Sequence, residues 1–138
     1  VWLFSRKKDA GVQGFILKLL NSHCSEVDAL QEGPRLEGRV NLTVVVLVVP
    51  LEKGKIRADR AFSALTKEFA TGGLSLLFSE PRAVDDILLG FWCEGEMKYI
   101  GGKAKHLSPI GGGFYQLGVK LLQMVHPSDH PGLEKLTL

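Results

Sequence analysis

Val40-Asn41-Leu42-Thr43-Val44-Val45-Val46-Leu47-Val48-Val49-Pro50-Leu51 decides how this chain folds. A run of β-branched apolar residues, stopped by the turn sequence Glu52-Lys53-Gly54-Lys55, reads as a strand. Five further β-rich segments follow it: Ala61 to Glu68, Leu74 to Ser79, Ile87 to Cys93, Lys98 to Leu107 and Phe114 to Met124. Gly72-Gly73, Cys93-Glu94-Gly95-Glu96 and Gly111-Gly112-Gly113 punctuate them, and Gly101-Gly102-Lys103 also reads as a hairpin turn. Strands at this short spacing, with no long helix between them, predict an antiparallel sheet closed into a barrel or sandwich.

Upstream the period changes. Phe15, Ile16, Leu19, Leu20, Val27 and Leu30 recur at helical steps, which predicts one amphipathic helix or two short ones between Val12 and Leu30. Asn21-Ser22-His23 is a point of interruption, and Ser25 with Asp28 could cap a second turn. At the other end, Pro127 and Pro131 make His126 to Pro131 a loop, and Gly132 to Leu138 has room for only a short helix.

The whole chain has 138 residues, a size that fits one compact domain with an extension. With a formal net charge of +2 and its lysines and arginines scattered among acids, it offers no broad basic face for a DNA or RNA polymer. Cys24 and Cys93 lack metal-ligand spacing and are expected to be reduced, buried thiols of a cytoplasmic domain. The opening Val1-Trp2-Leu3-Phe4, followed by Arg6-Lys7-Lys8, fits either a frayed terminus or the cytoplasmic end of a membrane helix. The second reading would make this the cytoplasmic part of a membrane protein, attached through a missing N-terminal segment.

Candidate chemistry is sparse. His126 and His130 stand four apart, but the prolines deny them the helix that would aim both at one metal, so no metal site is expected. Asp85-Asp86 and the pair Glu94 and Glu96 read as solvated turns. Phe91 and Trp92 read as core and cross-strand packing. No serine, cysteine or threonine nucleophile sits in a recognisable motif, so no catalytic residue is assigned and the chain is not read as an enzyme.

Arg35-Leu36-Glu37-Gly38-Arg39 is the exception, two guanidinium forks in a Gly/Pro-flanked loop just ahead of a strand, suited to gripping phosphate oxygens. About thirty residues on comes Glu68-Phe69-Ala70-Thr71-Gly72-Gly73, and Tyr115-Gln116-Leu117-Gly118-Val119-Lys120-Leu121 closes the pattern. Together these motifs resemble the PilZ domain family, whose members typically bind the bacterial second messenger cyclic di-GMP. The resemblance spans roughly residues 33 to 125.

The family pattern is R-x-x-x-R followed by D/N-x-S-x-x-G. Arg35, Arg39 and Gly73 match it, while Glu68 stands where Asp or Asn is usual and Ala70 where Ser is usual. The resemblance implies a mainly β, antiparallel six-stranded barrel over residues 33–138, with a helical extension over residues 1–32 and a short C-terminal helix. It also implies cyclic di-GMP as ligand, with Arg35, Arg39, Glu68, Ala70 and Gly73 as its binding residues and a weakened affinity. The alternative is a ligand-independent interaction domain that keeps the barrel and engages an unidentified protein partner.

Overall fold

The computed structural model describes residues 10–23, 39–70, 72–80, 84–136 and 138. Arg35 and the rest of the Gln31-to-Gly38 loop, Cys24, Ser25, Val27, Asp28, Leu30, Thr71 and the opening Val1-to-Asp9 segment lie outside the described residues. Among the described residues the chain is mainly β, with one helix, α1 (Ala10–His23), and eight strands in one antiparallel sheet. The strands are β1 (Arg39–Asn41), β2 (Val45–Glu52), β3 (Lys55–Ile56), β4 (Phe62–Ala70), β5 (Gly73–Phe78), β6 (Asp86–Cys93), β7 (Glu96–Gly111) and β8 (Phe114–Val125).

All six expected segments form strands. The count rises from six to eight because the first segment breaks at Leu42–Val44, which sets β1 apart from β2, and because β2 and the two-residue β3 close a hairpin over Lys53-Gly54. The sheet runs β1-β4-β5-β8-β7-β6-β2-β3, and β2 also pairs with β4 through Val45–Leu65 to Val48–Phe62. Followed from β4 through β5, β8, β7 and β6 to β2, the pairings therefore return to β4.

The valine run is continuous, rather than alternating, because both of its faces are covered. Val46 and Val48 enter a main core with Phe69, Leu76, Leu89, Phe91 and Ile100. Leu47, Val49 and Leu51 enter a second cluster with Leu88, Tyr99, Val125 and Leu133. Leu133 belongs to the C-terminal segment, where the expected loop holds a 3-10 turn, Pro127–Asp129, and a second 3-10 turn, Pro131–Leu133, is all that forms where the short helix was expected. Proline opens both turns, where its missing amide costs nothing, but Pro131 lacks the amide that a helix running on from Pro127 would need. Tyr99 Oη donates to the Leu133 carbonyl at 3.4 Å, and burial pushes its pKa above the ordinary phenol value.

Helix α1 does not stand apart from the sheet. Val12, Ile16 and Leu19, at spacings of four and three, are buried in the main core, and the Phe15 ring meets Phe91 edge-on at 5.6 Å. Lys18 also pairs with Glu94, in the β6–β7 turn, at 2.7 Å. Among the described residues no helix is long and apolar enough to cross a membrane.

Two local expectations are corrected. Gly101 and Gly102 lie inside β7 instead of forming a turn. A Cβ on Gly102 would fall 2.8 Å from Val119 Cγ1 and 3.1 Å from the Lys120 carbonyl, so the glycine is there for lack of space. Trp92 is not core: Phe91 points inward at 1% exposure, and the next residue on the strand faces out at 51%. Cys93 is buried with a free thiol.

Candidate functional site

The site begins with a bulge. On β4, Ala64 and Thr66 point inward, and simple alternation would send Phe69 outward with Glu68 and Ala70 inside. The β4–β5 register shifts between Thr66 and Glu68, so Lys67 is an extra residue that reverses the alternation. Phe69 enters the core at 0% exposure, while Glu68 and Ala70 flank it on the opposite face.

Strand β1 is laid against that turned segment, pairing Arg39 with Ala70, Val40 with Phe69 and Asn41 with Glu68. What holds the break that follows β1 is Thr66, a side chain to which the sequence motifs gave no role. Its buried hydroxyl donates to the Leu42 carbonyl at 2.6 Å and accepts from the Val44 amide at 2.9 Å, bridging the break between β1 and β2. Thr66→Val is expected to leave both backbone groups short of a partner and to cost about 2–4 kcal/mol. Chemical denaturation measures the loss, and the amide signals of residues 39–44 should show the largest perturbation.

Arg39, Glu68, Ala70 and Gly73, which are the four described members of the expected site, meet on one open cleft of about 440 Å³. Ser75, Lys105, Gln116, Gly118 and Lys120 also line it. Register gives the layout: one row reads Arg39, Ala70, Gly73, Lys120 across β1, β4, β5 and β8, and the next reads Asn41, Glu68, Ser75, Gly118, His106 as far as β7. Gly73 belongs to the first row for a steric reason, since a Cβ there would lie 3.0 Å from the Val119 carbonyl. The Leu121 amide donates to the Gly72 carbonyl at 2.8 Å and ties the turn to β8.

Arg39 Nη1 donates to Glu68 Oε1 at 3.2 Å, with the arginine side chain 72% and the glutamate 26% exposed. An ion pair this open contributes about 0–1 kcal/mol, so it orients the guanidinium without locking it. Lys67 Nζ donates to Gln116 Oε1 at 3.1 Å along one rim. The floor of the cleft is small side chains and its edges are cationic, an arrangement that can seat a flat ring and hold an anion.

Residues on β7 and β8 were not assigned a role by the motifs, yet part of the signal was in the closing segment. Leu117, Val119 and Leu121 face the core, so Gln116, Gly118 and Lys120 must face the other way. Away from this cleft, Asp85 and Asp86 each lie 3.9 Å from Lys103, and burial, with the neighbouring Asp85 charge, raises the Asp86 pKa while Lys103 opposes the shift. Glu94 and Glu96 bind Lys18 and Lys98, respectively. Comparison of the chain with family models, with curated proteins and with solved structures found no match in any of the three.

Proposed function

We propose that this chain is a PilZ-type, non-enzymatic module of the cytoplasm that binds cyclic di-GMP on the outer face of a closed antiparallel barrel. The observation that carries the reading is the pairing of Arg39 with Ala70 beside Gly73, which draws the end of the first motif and the second motif into one cleft. Arg35 and Arg39 grip phosphate oxygens, and the Glu68 carboxylate accepts from the N1–H and the exocyclic amino group of guanine over the small floor of Ala70 and Gly73. Release of Arg39 from its exposed pair with Glu68 costs less than one charge-assisted bond to phosphate returns.

The same chain segment supplies an output. Residues 24–38 join α1 to β1, so a ligand that holds the Gln31-to-Gly38 loop acts on the segment that leads to Val12, Ile16 and Leu19. The ligand shifts α1 by the difference in its affinity for the two arrangements. Thermal melts with and without cyclic di-GMP test the binding: a midpoint that rises with ligand concentration is expected, because a ligand of the native state stabilises it by mass action. An unchanged midpoint at saturating concentration would reject it.

The second reading is a barrel that has lost the nucleotide and acts by protein contact, and the Arg39–Glu68 pair favours it by occupying the arginine internally. Glu68→Asp with Ala70→Ser separates the two. The shorter carboxylate draws back from Arg39 and the serine adds a hydroxyl, so affinity for cyclic di-GMP is expected to rise about tenfold or more in calorimetry. A well-folded double variant with an unchanged or weaker dissociation constant would favour the protein-contact reading.

A further inference from the structure

The cleft continues past the two arginine-bearing and glycine-bearing motifs. Lys120 lies across from Gly73 on β8, and Lys105 occupies the bulge between Ala104 and His106 on β7; both line the cleft, and neither forms an ion pair among the described residues. Between them and Arg39 the floor includes the small residues Ala70, Gly73, Ser75 and Gly118, while Glu68, held by Arg39, and Gln116 also line the cleft. Arg39 and Lys120 stand three strand spacings apart along one row, about 14 Å at the backbone. Ser75, in the adjacent row, is 7% exposed, and its Oγ has no hydrogen-bond partner although it lines the same cleft. A buried hydroxyl left without a partner is costly unless something in the cleft takes it up.

We infer that Lys105 and Lys120 hold a second anionic group of the ligand, opposite the one gripped by Arg39, with the Ser75 hydroxyl bonded to the ribose-phosphate macrocycle that joins the two phosphates. This rests on the nucleotide reading above and deepens it: the cleft is built for a ligand with two separated phosphates and discriminates against a mononucleotide. The lysines supply point charges that follow a flexible diester, while the arginine fork fixes the other end. The preference arises because a mononucleotide leaves one cationic end unpaired.

Calorimetry with cyclic di-GMP and with GMP, on wild type, Ser75→Ala and Lys105→Ala/Lys120→Ala, tests it. The double lysine variant should lose about tenfold to a hundredfold in affinity for cyclic di-GMP, with a shallower salt dependence, while GMP binding changes by less than about twofold. Ser75→Ala should weaken cyclic di-GMP about threefold to tenfold. Both lysines are largely solvent-facing, so the variant should melt close to wild type. Wild type that binds cyclic di-GMP, with a lysine variant that binds it equally well, overturns the inference alone. An equal loss for both ligands also overturns it, since that marks a general field effect. Wild type that binds no cyclic di-GMP overturns the functional reading and the inference with it.

Discussion

Arg39→Ala is expected to lower affinity for cyclic di-GMP by about a hundredfold or more while leaving the protein folded. The guanidinium stands at the mouth of the cleft, 72% exposed, and among the described residues its bond to Glu68 is its side-chain ion pair. Charge-assisted bonds to a phosphate contribute about 1.5–3 kcal/mol each, and a fork can make two of them, so truncation removes the larger part of one end's grip. Loss of the ion pair with Glu68 should change stability by less than about 1 kcal/mol, as for other open surface pairs. The two effects are read by calorimetry and by a thermal melt on the same preparation. The same substitution at Arg35 should act alike on binding, as the resemblance implies.

Phe69→Ala should have the largest effect on stability. The ring is fully buried in the main core, between two residues that face the cleft, and it is inward only because Lys67 is an extra residue in β4. Removing it deletes the ring's burial and leaves a cavity, at a cost of about 3–5 kcal/mol. For a chain of this size that corresponds to a fall of roughly 10–20 °C in melting midpoint. The backbone of Glu68 and Ala70 loses its anchor at the same time, so ligand affinity should fall with stability, unlike the Arg39 case. Urea denaturation followed by fluorescence, with calorimetry below the new midpoint, distinguishes the two variants.

Much of the sheet was legible from the chain because its strands carry β-branched runs and its hairpins carry glycine. Lys53-Gly54, Glu94-Gly95 and Gly111-Gly112-Gly113 have positive φ where a two- or three-residue turn demands it. Gly101-Gly102 misled because glycine in a strand, placed there to clear Val119, looks the same in sequence as glycine in a turn. Trp92 misled because alternation along β6 sends it out as soon as Phe91 goes in, and an aromatic pair does not reveal that phase. The short C-terminal helix was expected from the stretch after Pro131 and from the family resemblance, whereas Leu133 is used to cover the second face of β2.

The site was half legible. Arg39, Glu68, Ala70 and Gly73 were placed together by motif, and they line one cleft. The bulge at Lys67 and the Thr66 bridge were not legible, since both depend on which carbonyl lacks a partner once β1 breaks from β2. Ser75, Lys105 and Lys120 were missed because they come from three different strands and share a face only through the register of β5, β7 and β8. Arg35 lies outside the described residues, and its part in the site rests on the motif.

Whether the cleft binds cyclic di-GMP is decided by titration calorimetry of the wild-type chain with that ligand, beside Arg39→Ala under the same conditions. Saturable heat is expected for wild type, disappearing or weakening about a hundredfold in the variant. No heat from wild type at ligand concentrations up to about 1 mM, where binding stronger than about −4 kcal/mol would register, would contradict such binding.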